Sequence, residues 1–420
     1  MVRDPMPRAS RGVAPAVLSA SRTAMRIAMI GDRGIPARYS GFSTLVEEVS
    51  TRLVAYYGMD VTVYCRTHSL ASHPPEFKGV RLVHLSAPGG KSFESLLHSQ
   101  RAILHAALQR FDLAFVVDPG NSLLTFPLVL RRMPFVIHTD GLGWQREKWS
   151  ALQRRYYRWS ERVSARLATG LVCDSQAMRD YYLRTYGAAS AYIPYGGIVG
   201  DPPSDSAPAL FGLVAGSYHL VVARLEPENN VDFIMHEYKA SKARFPLVYV
   251  GGARYESDYS RRIMAEAGDR VKCLGPVYDS EILNGLYRHC RTYIHGHQVG
   301  GTNPSLLRAM GTGAACMAID VVFHREVLGA HARFFSKDPG CLATIIEEME
   351  ADDAGTADLG ARARERARKY YRWDAVAAGY AEFFTRLVEA RRAGARIAKL
   401  AIADVYRPEV FAEHDPGAPQ

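Results

Sequence analysis

The sequence predicts two doubly wound α/β domains in tandem. Three observations carry that reading. Short β-branched and aliphatic runs alternate with longer amphipathic ones from Met25 onward, a stretch dense in Gly, Pro, Ser and Asp interrupts them at residues 196–212, and the alternation then restarts. Strands spaced by helical segments form a parallel sheet covered on both faces. In the first half the strand candidates are RIAMIGD, DVTVYC, VRLVHL, LAFVVD, PFVIHTD and GLVCDS. The interruption, GGIVGDPPSDSAPALFG, reads as a linker. Beyond it YHLVVARL, FPLVYVGG, RVKCLGPV, RTYIHGH and ACMAID repeat the rhythm. YYRWDAVAAGYAEFFTRLVEARR has apolar residues at helical spacing and predicts a long amphipathic helix whose stripe packs into a core. The expected organisation is a disordered arm over 1–24, a first domain over 25–198, a linker over 199–212 and a second domain over 213–375. A helix over 376–395 and a frayed tail over 396–420 complete it.

Bulk properties agree with this and narrow the function only slightly. A chain of 420 residues is long for one core, and 48% hydrophobic with 23% charged residues is the composition of a soluble protein. With 52 Lys and Arg against 43 Asp and Glu, a net charge of +9 favours anionic partners: nucleotides, acidic lipid headgroups or nucleic acid. Six cysteines lie singly, without the close pairs of zinc or redox sites, and read as reduced thiols of a cytoplasmic protein. No apolar run is long enough to span a bilayer. The Arg- and Ser-rich leader mimics a targeting peptide, but Pro15 breaks its short apolar stretch, and Met25 is an alternative start.

Ligands of open α/β sheets bind beyond the carboxyl ends of the strands, and two of the loops there are glycine-rich. In GDRGIPARYSGF, Gly31, Gly34 and Gly41 let backbone amides approach a ligand. This is not GxGxxG, and Cys65-Arg66 stands where a dinucleotide site would end its second strand with an acid. In VGGTNPSLLRAMGTG, Gly300 and Gly301 make a turn, Thr302 or Asn303 can cap, and Pro304 suits the first helical position. A helix start offers unpaired N–H groups and a positive dipole end, both suited to a diphosphate; a purely structural turn and cap is the alternative. Arg224, ending the first strand of the second half, can clamp a pyrophosphate or pair with Glu226 or Glu228. His295 and His297 alternate without a nearby acid, which argues for hydrogen-bonding roles and against a metal.

Seven motifs in order, GDRGIPARYSGF, TDGLGWQREKWS, CDSQAMRDYY, IPYGG, ARLEPENN, LGPVYD and HGHQVGGTNPSLLRAMGTG, resemble the bacterial rhamnosyltransferase branch of the family-4 retaining glycosyltransferases. The resemblance covers about Met25 to Arg372. It implies the GT-B fold: an acceptor-side domain, a nucleotide-sugar domain, a cleft between them and a last helix crossing back to the first domain. It also implies catalysis without metal or cofactor. Position by position, it makes Arg224 the pyrophosphate ligand and Asp140 the first-domain acid facing the reacting sugar, with His138 on the same strand face. Gly34, Gly41, Gly300, Gly301, Thr302, Asn303 and Arg308 fall on the donor side. The donor would be a dTDP- or UDP-linked hexose, and the acceptor a lipid-linked saccharide of surface-polysaccharide assembly.

Three positions depart from the family pattern, each by losing a glutamate: Ser43 in SGFST, Gly143 in DGLGW and Arg308 in SLLRAM. The glutamate at the last accepts hydrogen bonds from ribose hydroxyls, whereas arginine only donates. Either the ligand is more negative than in the relatives, or the protein is a catalytically silent GT-B binding partner. On the acceptor side, residues 144–168 carry Arg146, Lys148, Arg154, Arg155, Arg158, Arg162 and Arg166 interleaved with Trp144, Trp149, Tyr156, Tyr157 and Trp159. Such a helix suits an anionic membrane surface at the inner face of the plasma membrane, or is a solvated face with its aromatics in the core. Basic residues with aromatics also occur on RNA-binding surfaces, but the chain shows no nucleic-acid module.

Overall fold

The structure is a computed structural model that describes residues 24–37, 41–69, 72–87, 93–139, 141–146, 149–197, 205–253, 257–394 and 405–409. The first domain holds strands β1 (Arg26–Ile30), β2 (Asp60–Arg66), β3 (Glu76–Phe77), β4 (Val80–Leu85), β5 (Leu113–Val117), β6 (Phe135–Thr139), β7 (Gly170–Cys173) and β8 (Ala191–Tyr192). Helices α1 (Gly41–Tyr57), α2 (Phe93–Leu108), α3 (Phe126–Leu130), α4 (Ala151–Leu167) and α5 (Gln176–Tyr186) connect them. The strand order is β3-β4-β2-β1-β5-β6-β7-β8, parallel except for β3 against β4. Residues of the central strand alternate between two cores: Ile27 and Met29 face the side of α1, Ala28 and Ile30 the side of α2 and α4.

The second domain runs β9 (His219–Val222), α6 (Val231–Ala240), β10 (Leu247–Val250), α7 (Asp258–Ala265), β11 (Val271–Gly275), α8 (Ser280–Arg288), β12 (Thr292–His295), α9 (Pro304–Thr312), β13 (Cys316–Ile319), α10 (Val322–Leu328) and β14 (Arg333–Phe335), then α11 (Cys341–Ala351) and α12 (Asp353–Tyr370). Its six-stranded parallel sheet has the order β11-β10-β9-β12-β13-β14. Every run named as a strand from the sequence is one. β3, β8 and β14, of two or three residues each, are too short to show a period.

The last long helix, α13 (Trp373–Arg392), crosses back to the first domain. Phe384 and Tyr380 pack on Phe115 of β5 with ring centroids 5.6 and 5.4 Å apart, and Arg52 of α1 bonds Asp374 at 2.9 Å. Trp373 covers Gly196, where a Cβ would lie 2.3 Å from the indole. The two domains and α13 thereby share one continuous apolar cluster. Two details correct the sequence reading. Within the stretch taken as linker, Ala207 is buried and Ala209–Phe211 form a 3₁₀ turn. Residues 405–409 are not frayed, because Val405 is buried beside Gly379 and the Tyr406 hydroxyl donates to the Tyr370 carbonyl. The arm over 1–23 and the residues 198–204, 395–404 and 410–420 lie outside the described residues. All six cysteines are free thiols.

Phe384 is fully buried. Phe384→Ala is expected to cost about 3–5 kcal/mol, read as an earlier first-domain transition in chemical denaturation. An unchanged transition would show that α13 does not support that domain.

Candidate active site

The turn after β12 is built for close approach. Gly300 has φ 145° and Gly301 follows it. Asn303 caps α9: its Oδ1 accepts from Ser305 N at 3.0 Å and from Ser305 Oγ at 2.7 Å, and Pro304 takes the first helical position. The first turn is braced from below by the Tyr293 hydroxyl, which donates to Ser305 Oγ at 3.2 Å and meets His295 Nδ1 at 2.9 Å. The amide oxygen of Asn303 is thus committed to the cap, and its Nδ2 remains for a ligand.

The first domain comes up against this turn at three points. A Cβ on Gly141 would fall 2.0 Å from the Gly300 Cα, so the two backbones touch. A Cβ on Gly301 would fall 2.0 Å from Asp174 Oδ1, and the Thr302 hydroxyl donates to the Asp174 carbonyl. Gly41, the first residue of α1, faces Pro304 with room for a Cβ only 3.2 Å from its Cγ. The N-termini of α1 and α9 therefore confront each other across the cleft, and their dipoles favour an anion between them. Below, the Glu326 carboxylate of α10 accepts from Gln176 N at 2.7 Å and Ala177 N at 3.3 Å, capping α5 of the first domain. Thr302, expected on the donor, is spent on holding the domains together.

Cationic groups gather behind the turn. Burial first, then Arg146, His324 and Arg224, hold His297 neutral, its pKa well below the usual imidazole value. Its Nδ1 meets Asn229 Oδ1 at 2.5 Å, and the Asn229 amide donates to the Arg224 carbonyl at 2.7 Å, fixing the loop after β9. Arg224 itself is exposed. Glu228 is not its partner: this carboxylate is 1% exposed and accepts no hydrogen bond from any described residue. His295 is likewise held neutral by burial. Among the described residues no group of three His, Cys, Asp or Glu side chains could hold a metal ion.

Arg308, on the second turn of α9, is half-buried; its carbonyl accepts from the Thr312 hydroxyl at 3.0 Å, and its guanidinium has no hydrogen-bond partner among the described residues. Burial lowers its pKa, and Tyr287 of α8 and, across the domain boundary, Glu48 of α1 oppose that shift. Gly34, at φ 110°, leaves no space beside Cys65, whose Sγ would be 2.5 Å from a Cβ. His138 is fully buried among Phe42, Tyr195 and Phe115, with ring centroids 5.5, 5.8 and 6.2 Å away; it lies under the cleft floor, not in the cleft. That corrects its expected place at the reacting sugar. Asp140 and Lys148 lie outside the described residues. The structure also accounts for two of the missing glutamates. Ser43 is buried in the first turn of α1, and a Cβ on Gly143 already comes within 3.1 Å of the Tyr157 ring. Carboxylates at these two positions would be unsolvated or would collide.

In α4 the aromatic residues divide. Tyr156 donates to the Gly120 carbonyl at 2.7 Å and Tyr157 stacks on Trp149 at 5.6 Å, both turned inward. Trp159 is 58% exposed, and Arg158 lies over Trp144 at 4.2 Å. Glu161, the helix's acid, is buried against the Tyr181 and Tyr186 hydroxyls, each at 2.9 Å; burial pushes its pKa up to about 7 against those bonds. The outer face, with Arg154, Arg155, Arg158, Arg162 and Arg166, consequently carries no acid.

Residues 40–196 match the model of the glycosyl transferase 4-like domain, and residues 216–352 that of the glycosyl transferases group 1. The chain is a glycosyltransferase of the GT-B type. Its fold is that of sucrose-phosphate synthase from Thermosynechococcus elongatus, at 20% identity and a TM-score of 0.73 over 87% of this chain and 100% of that one. HepE of Anabaena, solved in complex with UDP, matches at 15% identity and 0.67 over 87% and 100%. The trehalose 6-phosphate synthase of Burkholderia multivorans matches at 12% and 0.63 over 89% and 100%. No curated protein matches the chain in sequence.

The contact between Gly301 and Asp174 makes a test of the glycosyltransferase's domain packing. Gly301→Ala is expected to destabilise by about 1–3 kcal/mol through overpacking. Adding Asp174→Ala should recover part of it, a coupling of about 0.5–3 kcal/mol in thermal unfolding. Strict additivity would mean the two residues do not touch.

Proposed function

We propose that the protein transfers a hexose, rhamnose or a relative, from a nucleotide diphosphate sugar to a lipid-linked saccharide in surface-polysaccharide assembly, with retention and without a metal. The observation that carries this reading is the meeting of the α1 and α9 N-termini at the glycine turn, with Arg224, Arg146 and His297 behind it. In the reaction the bond from the sugar's anomeric carbon to the diphosphate oxygen breaks, the diphosphate keeps the electron pair, and an acceptor hydroxyl bonds to that carbon and passes its proton to the departing diphosphate oxygen. Negative charge grows on the diphosphate. In this reading the backbone N–H groups at the start of α9 and the Arg224 guanidinium face that charge and stabilise the transition state. Support from outside the chain is the binding of UDP and of UDP-glucose by HepE, a protein of the same fold.

Arg308 bears on the donor. A half-buried guanidinium without a hydrogen-bond partner among the described residues calls for an acceptor, and an acidic or phosphorylated sugar nucleotide supplies one where a neutral sugar's ribose contact is lost. The same missing glutamate supports the silent reading, and turnover separates the two.

By calorimetry, Arg224→Ala is expected to weaken UDP-sugar binding by about 1.5–3 kcal/mol, the contribution of one charged hydrogen-bonding group. Unchanged affinity would remove Arg224 from the site. Arg308→Glu is expected to weaken an acidic nucleotide sugar more than a neutral one and to lower turnover. A parent that turns over no nucleotide sugar, with a variant that does, would establish the silent reading.

A further inference from the structure

At the end of the first sheet opposite the glycine turns, just before β5 and β6, a cavity of about 400 Å³ is lined by Arg110, Arg131, Arg132, Arg391, Arg392 and one acid, Asp112. Neither the donor site nor the sequence motifs use it. Asp112 is already engaged at both oxygens, by Arg392 at 2.7 Å and by the Arg26 amide at 2.9 Å. Arg391 donates to the Arg132 carbonyl at 3.2 Å, while the guanidinium groups of Arg110, Arg131 and Arg132 have no hydrogen-bond partner among the described residues. Arg132 holds φ 52°, a left-handed conformation that glycine would adopt at lower cost, yet the residue there is a cation. Five guanidinium groups around one engaged carboxylate favour an anion there.

The rim is apolar. Leu108, ending α2, is 77% exposed and Leu130, ending α3, is 67% exposed; each is followed within two residues by a cavity arginine. Bare leucines beside clustered arginines match a surface that is anionic outside and hydrocarbon within. A soluble anion needs only the arginines. Moreover α2, α3 and α4 cover the same face of the sheet through one core, and α4, about 25 Å long, runs from the cleft end to the cavity end with its basic face outward.

We propose that this cavity and its leucine rim dock the phosphate headgroups of an anionic bilayer, fixing the far end of the first domain while α4 lies along the surface and the cleft opens beside it. The proposal rests on the lipid-linked acceptor of the preceding reading. Full-length protein is sedimented with phosphatidylcholine vesicles and with vesicles also containing phosphatidylglycerol, each variant being checked by thermal unfolding. The parent is expected to bind the anionic vesicles only. Arg110→Glu with Arg131→Glu should lower the partition coefficient at least about tenfold, since each arginine near an anionic surface contributes measurably. Leu108→Ser with Leu130→Ser should lower it several-fold. If the arginine pair sediments like the parent while Arg154→Glu, Arg155→Glu and Arg162→Glu together abolish binding, the membrane reading stands and the cavity is excluded. Serine variants that sediment normally, with inorganic phosphate competing for the arginines, would make this a soluble-anion site and overturn the lipid assignment. A parent without affinity for either vesicle overturns both.

Discussion

Everything in the cleft depends on how near two backbones can come. Gly141 of the first domain and Gly300 of the second meet where no side chain fits, and Gly301 rests on the Asp174 carboxylate in the same way. A Cβ on Gly141 or on Gly301 would push the domains apart and with them the α1 and α9 N-termini. The glycines therefore do more than free the chain for a turn. They set the width of the cleft, and the hydrogen bond from Thr302 to the Asp174 carbonyl and the Glu326 cap on α5 hold that width from either side.

Charge is distributed in accordance with this geometry. Inside the closed cleft the imidazoles are kept neutral by burial, so positive charge is left to guanidinium groups and helix ends. A neutral His297 orients Asn229, and through it the loop of Arg224, without repelling the arginines nearby. On the outer surface of the first domain the pattern inverts: α4 buries its acid and exposes its arginines, and the far end of the same face gathers five more around a single engaged aspartate. Cleft and surface are both cationic, the one in a fixed arrangement and the other as a patch.

Much of this was legible in the residues. Runs such as LAFVV and PFVIHT announced buried strands because they are β-branched or aromatic on both faces, and TNPS announced the cap and the first position of α9. Asp174 went unrecognised, although an acid directly after a strand at the sheet's carboxyl edge was a usable signal. Arg146 was read only as one of the basic residues on the acceptor side, and Asn229 had no signal, since the neighbours of both come from distant segments. His138 was misplaced because strand alternation gives the face of the sheet but not the depth, and Phe42 arrives from α1 to cover it. In α4 composition gave the number of aromatics and charges but not which way each turned: Tyr156 goes inward to the Gly120 carbonyl in the turn after β5, Trp159 outward. The arginine cavity was invisible for the same reason, being assembled from two loops and the end of α13.

The central claim is that a nucleotide diphosphate sugar seats on the glycine turn between two helix ends. Hydrogen exchange with and without UDP-sugar addresses it residue by residue. The account predicts slowed exchange at the amides of Gly301, Thr302, Asn303, Ser305 and Leu306 and in the first turn of α1, with the outer strands unaffected. Slowed exchange elsewhere in the second domain, with the α9 amides unchanged at saturating nucleotide, would contradict it.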